Sequence, residues 1–422
     1  MKTSQASIPS EKGLDHSLSL LKDGYLFIHK RAQDFQSDIF KTRLMGEEAI
    51  CLRGEDGAKV FYDNDKFKRE GAAPKRVQKT LFGEDAIQSM DGEAHRHRKQ
   101  LFMSLMSRER LQELNEITRA QWLLYIKKWE TQKKIVLFDE MEAMLTKVAC
   151  EWAGVPLEEK EVEKRTKDFG DMIDAFGAVG VRHARGRSAR KRTEAWITSL
   201  IEEVRSEQRS PRESTALYQM AWHKELDGTL MDAKMAAIEL INVIRPTVAV
   251  GRFITFGAVG LHEFPKEREK LMQDQDGTYS HLFTQEVRRY YPFAPFTGAR
   301  VKKDFTWNSH QFKENTLVLL DIYGTNRHPK LWESPNEFRP ERFKGWEGSP
   351  FSFIPQGGGD EHKGHRCAGE WITIELMKIS LSQLAQNITY DVPKQDLTYD
   401  LSRMPSIPKS RFIIQNVRRQ QQ

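Results

Sequence analysis

Between Asp232 and His262 some 31 residues keep a helical spacing of apolar side chains without a break. At about 1.5 Å of rise per residue such a helix crosses a whole globule. Its middle, Ile241-Asn-Val-Ile-Arg-Pro-Thr-Val-Ala-Val, is apolar on nearly every side, so other elements have to enclose it. Two residues interrupt the pattern. Arg245 is expected to be buried, where a guanidinium is costly unless it meets an anion. Pro246 removes a helical hydrogen bond and crowds the preceding turn, which predicts a kink at that arginine.

The second constrained stretch runs from Ile354 to Trp371 and contains Gly357 to Gly359, Gly364 and Cys367. These glycines permit positive φ and close approach to a flat partner. After Cys367 come Ala368 and Gly369, and then Ile372, Leu376, Ile379 and Leu381 at the spacing of a buried helix. The cysteine therefore sits at a helix N-terminus, where free N–H groups and the dipole favour a thiolate. With Arg366 beside it, such a sulfur suits an axial ligand to haem iron, the guanidinium being available to a propionate. A lone cysteine is more often a small core hydrophobe. His362, His365 and Cys367 have no fourth zinc ligand at a usual spacing. The glycines and the helix start together favour haem over both.

No linker, low-complexity tract or repeat divides the 422 residues, so one domain over 1–422 is expected. Three cysteines, at 51, 150 and 367, are too few for a disulfide framework and fit a reducing cytoplasm. Residues 1–12 hold no apolar run of leader length, and nowhere do ~18 apolar residues follow one another, so no membrane span is expected. The net charge of +6 raises nucleic acid as a partner. The basic run from Arg182 to Arg192 lacks the interleaved aromatics of a single-strand binder. It reads as a solvated face that attracts anionic amphiphiles, with no nucleic-acid partner.

The Gly-His-Arg-Cys-Ala-Gly sequence around Cys367 resembles the cysteine loop of the cytochrome P-450 superfamily of thiolate-ligated haem proteins. Extra residues separate the glycine cluster from the cysteine, and Phe351-Ser-Phe-Ile-Pro stands where a leading phenylalanine is usual. With Pro-Gln-Gly-Gly-Gly before it, this insertion resembles the bacterial fatty-acid peroxygenase branch, along nearly the whole chain. The resemblance implies a mainly α fold with a smaller β region, and haem b (iron protoporphyrin IX) ligated by Cys367. Glu286 and Arg289 resemble the superfamily's Glu-x-x-Arg element, locked by Arg339 or Arg342. His95 and Lys99, one turn apart in a helix opened by Asp91, resemble its propionate-binding helix, with Lys99 in place of a second arginine. The segment beginning at Arg69 lies over the haem in this branch, which puts Arg69 among the cofactor contacts. Most relatives place an acid before the threonine of the long helix to handle oxygen protons, and Thr247 has none.

A thiolate favours O–O cleavage. With no flavin or nicotinamide fingerprint and the usual acid missing, hydrogen peroxide is the economical oxidant and a redox partner is not required. Peroxide heterolysis still needs a group that moves a proton. A long-chain fatty acid held through its carboxylate by Arg245 supplies one, and bidentate pairing fixes its position and plane. Hydroxylation is then expected at the α or β carbon, with minor decarboxylation to a terminal alkene. Arg245, Pro246 and Gln88 are the catalytic candidates. Phe82, Phe293, Phe296 and Ile173 are candidates for the apolar tail and equally for plain core. The branch carries glutamine or histidine at the Gln88 position, and glutamine accompanies hydroxylated products. Two alternatives stay open: a redox-partner-dependent fatty-acid monooxygenase, and a haem-based sensor of fatty acid or gas that does not turn over.

Periodicity predicts helices over 14–27, 57–67, 110–129, 141–152, 162–176, 193–205 and 371–381, with the basic run as a connection before 193. Strands are expected at 49–52, within 302–321 and at 412–417.

Overall fold

The computed structural model describes residues 7–420. Positions 1–6 of the segment expected to hold no leader lie outside the described residues.

The chain opens with α1 (Ser17–Asp23) and α2 (Phe27–Asp34), the strands β1 (Ile39–Leu44) and β2 (Glu47–Leu52), α3 (Gly54–Phe61) and β3 (Phe67–Lys68). A single helix was expected over 14–27. It breaks at Gly24, where φ is +54° and an added Cβ would lie 2.1 Å from the Leu401 carbonyl oxygen. The helix expected over 57–67 is α3, which starts three residues earlier and stops at Phe61, before the strand residue Phe67.

The helical body follows: the short α4 (Lys75–Val77), α5 (Gly92–Ser104), α6 (Arg108–Trp129), β4 (Lys134–Val136), α7 (Leu137–Ala153), α8 (Val162–Asp174), α9 (Val181–Arg205), α10 (Ala216–Trp222) and α11 (Ala233–Glu263). The remainder is α12 (Pro265–Met272), α13 (Thr278–Tyr290), β5 (Phe296–Val301), the hairpin β6 (Phe305–Trp307) and β7 (His310–Phe312), β8 (Leu317–Asp321), α14 (Ile322–Thr325), α15 (Glu370–Ser382), β9 (Ile388–Asp391) and β10 (Ile413–Arg419).

The basic run is a correction. Residues 181–192 are not a connection but the first half of α9. No apolar period marks this half because Arg185, Arg187 and Lys191 face solvent. Its inward face is made of Gly186, Ala189 and Arg190, the last donating to the Leu81 carbonyl at 2.8 Å.

Helix α11 is the axis. Asp232 caps it by accepting from the N–H groups of Lys234 (3.0 Å) and Met235 (3.1 Å). From Leu240 to Leu261 every residue but Pro246 is buried, enclosed chiefly by α7, α9 and α15. At the crossing with α15 an added Cβ on Gly257 would lie 2.5 Å from Leu381 Cδ2, so a larger residue would force the leucine to move. The helix runs through Pro246 without interruption.

A five-stranded sheet in the order β1-β2-β8-β5-β3 packs beside this body. Asp321 ends β8, caps α14 through the Gly324 N–H (2.7 Å) and is 1% exposed. Burial pushes its carboxyl up from 3.8 to about 7, against the pull of the Gly324 N–H and of Arg53. The native carboxyl thus keeps a proton that the unfolded one has lost, so stability falls as pH rises from about 4 to about 7. Asp321→Asn removes this titration. Relative to the unaltered chain, its unfolding free energy is expected to improve by a few kcal/mol, at about 1.4 kcal/mol per pKa unit, between pH 4.5 and 7.5, read by urea unfolding at both.

Candidate functional site

The glycine-rich loop is tied down on all sides. Ile354 N–H donates to Asn326 Oδ1 (2.9 Å), Gly359 N–H to the Pro350 carbonyl (3.0 Å) and Cys367 N–H to the Gln356 carbonyl (3.0 Å). Gly357 has φ +95°, and an added Cβ would meet Tyr62 Oη at 3.2 Å and Arg366 Cα at 3.3 Å. At Gly358 and Gly359 the space is likewise closed by Tyr62, Ile354 and Phe351. These glycines therefore pack the loop onto Tyr62, just after α3, and onto itself.

Gln356 connects the loop to its support. Its Oε1 accepts from Arg288 Nη2 (3.0 Å), and its Nε2 donates to Thr373 Oγ1 (2.9 Å) and toward Cys367 Sγ (3.8 Å). Burial pushes the Cys367 thiol up, opposed by the Gly369 N–H, the Lys99 ammonium and the Gln356 amide. A sulfur ringed by donors at a helix start is suited to bind as thiolate. The Glu286–Arg289 pair behind the loop is fully buried at 2.7 Å and far from a surface ion pair. Arg342 is the locking arginine, through its Nε to Glu286 (3.1 Å). Arg339 offers only its backbone N–H to that carboxylate (2.7 Å) and sends its side chain to Glu333 (2.8 Å).

Of the four further cofactor candidates, Arg69 meets Asp91 directly and His95 reaches it through His365, while Lys99 and Arg366 meet each other. The Asp91 carboxylate accepts the backbone N–H groups of Arg69 (2.9 and 2.8 Å) and Glu70 (2.8 Å) and faces His365 Nε2 at 3.4 Å. His365 stacks on His95 with ring centroids 4.0 Å apart. Burial keeps both imidazoles neutral, His95 at about 3 with repulsion from His365 and Lys99, and His365 at about 4 with repulsion from Arg69 and Lys99 against the pull of Asp91. Lys99, 3% exposed, donates to the Arg366 carbonyl. Arg69 is 6% exposed with Nη2 buried and unpartnered. An acidic group such as a propionate fits this cluster, and with the donor-ringed sulfur it makes the residues present compatible with haem. Arg366 itself pairs with Glu370 (2.6 Å), which also receives Arg288.

Arg245 is 6% exposed and its Nε is buried without a partner. Its one described hydrogen bond runs from Nη2 to Asn242 Oδ1 at 3.4 Å. Burial and repulsion from Arg190 push the guanidinium down to about 9, and the attraction acting against them comes from Cys367. No carboxylate of the described residues pairs with it. Asn242 also donates to the Phe82 carbonyl (2.9 Å), to Glu239 Oε2 (3.1 Å) and toward Gln88 Oε1 (3.4 Å). Arg245, Gln88 and the backbone of Phe82 thus meet at one asparagine.

Phe293 stacks on Phe253 of α11 at 4.1 Å. Ile173 lies in the helical core at 5% exposure, and Phe296 packs with Tyr25, Tyr323 and Met404. Sequence reasoning missed Asn242, Glu239 and Gln356, and considered His365 only as a zinc ligand. An acid and an amide inside an apolar helical run were the available signal for the first two.

The cytochrome P450 family model matches residues 273–414. Cytochrome P450EX alpha (CYP152N1), solved with myristic acid, is 46% identical with a TM-score of 0.94 over 98% of this chain and 99% of that one. A variant of cytochrome P450 OleT in complex with arachidonic acid is 41% identical with a TM-score of 0.96 over 99% and 100%. The protopanaxadiol 6-hydroxylase of Panax ginseng is 22% identical over 402 residues, 88% of this chain and 84% of that protein. No described helix is long and apolar enough to cross a membrane.

Proposed function

This chain belongs to the cytochrome P450 family, and from that premise we propose that it uses hydrogen peroxide to hydroxylate long-chain fatty acids at the α or β carbon, the carboxylate being held by Arg245. As a family member it is a haem-thiolate oxidoreductase with fatty-acid-binding neighbours. The observation that carries the finer statement is Arg245, a buried cation in the centre of α11 with an unpartnered Nε and no carboxylate on it.

Bound on Cys367, haem b supplies the iron at which the peroxide O–O bond is cleaved and the substrate oxidised. The guanidinium fixes a carboxylate in position and plane. That carboxylate stands in for the acid absent before Thr247 and moves the proton between the peroxide oxygens. Thr247 is otherwise engaged, its hydroxyl donating to the Val243 carbonyl at 2.9 Å. Pro246 has no N–H to return to the Asn242 carbonyl, one turn back. Anchoring by the head group favours attack near it. Phe82, Phe293, Phe296 and Ile173 are proposed for the tail, a redox partner is not required, and three free cysteines fit a cytoplasmic location.

The test is incubation of the holoenzyme with a long-chain fatty acid and peroxide alone, with products read by mass spectrometry. 2- or 3-Hydroxy acids are expected. Turnover that appears only on adding a reductase and electron carrier would overturn the peroxide assignment.

Gln88 sets a further expectation. Its amide, near Asn242 at 3.4 Å, only donates and accepts hydrogen bonds, whereas a histidine exchanges protons near neutral pH. Gln88→His is expected to raise the share of terminal alkene in gas-chromatographic product ratios. Alkene as the main product of the unaltered chain would contradict this.

A further inference from the structure

Glu239 lies six residues before Arg245 on α11 and is fully buried. Three donors converge on it. Oε1 accepts the Ile87 N–H (2.9 Å) and Arg98 Nη1 (2.9 Å), and Oε2 accepts Asn242 Nδ2 (3.1 Å). Ile87 is the residue before Gln88, and Arg98 belongs to the same helix as His95 and Lys99. Arg98 continues to Glu225 on the segment before α11.

We propose that Glu239 is the positioning residue of the substrate site, setting the polarity of the Asn242 amide so that its oxygen, and not its nitrogen, meets Arg245. An amide has two ends, and which end faces which neighbour is set by the hydrogen bonds available. On the nitrogen side Asn242 meets three acceptors: the Phe82 carbonyl, Gln88 Oε1 and Glu239 Oε2. On the oxygen side it meets the guanidinium of Arg245. The carboxylate and the Phe82 carbonyl are the acceptor-only members of that ring, and neither can turn a donor toward Asn242; of the two, only the carboxylate belongs to a side chain that a substitution can change.

Burial pushes the Glu239 carboxyl up, and Arg98, the Asn242 amide and the Ile87 N–H pull against it. A glutamine there keeps the shape and fails the chemistry. Its oxygen has to serve Ile87 and Arg98, so its nitrogen points at Asn242 Nδ2, two donors face to face. If Asn242 turns over to relieve this, its nitrogen then faces Arg245 Nη2. Turned over, Asn242 denies Arg245 its one described hydrogen bond and leaves the buried guanidinium without a fixed plane; unturned, it holds that bond against a repelling donor pair, and the bond is weakened.

This inference rests on the assignment of Arg245 to the substrate carboxylate, and a thermodynamic cycle separates the two. Dissociation constants of a long-chain fatty acid and of the matching fatty alcohol are measured calorimetrically on the holoenzyme, Glu239→Gln, Arg245→Ala and the double variant. Glu239→Gln is expected to weaken fatty-acid binding about tenfold and to leave the alcohol unchanged. In the Arg245→Ala background the same change is expected to add nothing, because its effect passes through the arginine. Glu142→Gln, at another buried carboxylate that pairs with Arg252 at 3.5 Å, is the control and should leave both constants unaltered. Equal losses with and without Arg245, or no loss in the single variant, would overturn the positioning role. Acid and alcohol bound equally by the unaltered chain would instead overturn the carboxylate assignment itself. If Glu239→Gln does not fold, Asn242→Leu cuts the same link from the other side and is expected to give the same selective loss; no selective loss there would equally overturn the role.

Discussion

Arg245→Ala is expected to bind haem at the usual stoichiometry and to lose peroxide-driven fatty-acid turnover by about 10²–10³-fold in kcat/KM, the cost of removing one member of a buried charged pair. The loss should be chemical as well as spatial, because the variant gives up the carboxylate that moves the proton. A short carboxylic acid added to the unaltered chain should therefore permit oxidation of substrates that carry no acid, by occupying Arg245 in their place. In Arg245→Ala the same addition should do nothing. Efficient turnover of a fatty alcohol with peroxide and no added acid would remove the basis of this mechanism.

Cys367→Ala should abolish the strongly red-shifted carbon monoxide band of the reduced protein, which reports thiolate ligation. The loop is expected to survive the change, since the bond from the residue 367 N–H to the Gln356 carbonyl is backbone and Gln356 keeps Arg288 and Thr373. Loss of the band with retained secondary structure, read by circular dichroism, therefore separates loss of the ligand from loss of the fold. Retention of the band would transfer the ligand role to another residue.

The long helix and its buried arginine were legible because a helical apolar period over 31 residues leaves few alternatives, and the structure places α11 within one residue of the expected span at both ends. The first half of α9 was illegible for the converse reason. Its solvent face is basic and its buried face small, so periodicity of apolar residues has nothing to register. The cysteine loop was found through its glycines, which in the structure also close the loop on Tyr62. Arg366 was named because it adjoins the cysteine. Its pairing with Glu370, four residues on at a helix start, was readable from spacing alone. What no local pattern contains is the contact of Arg98 with Glu239 or of Asn242 with Phe82, which join residues far apart in sequence.

The pairing of β2 with β8 is parallel, Ala49 opposite Leu317 through Leu52 opposite Leu320. On a ribosome, the inner edge of the N-terminal hairpin has its neighbour only once residue 320 has emerged. At typical elongation rates that interval is roughly 15–50 s, long compared with the microseconds in which the hairpin itself closes. Throughout it, Ala49 to Leu52, an apolar run, presents unpaired backbone groups to any other strand in reach. Nascent chains stalled anywhere between the two strands are thus the species most prone to pair with one another, and slowing initiation or supplying a holdase should raise the yield of folded protein more than slowing elongation does.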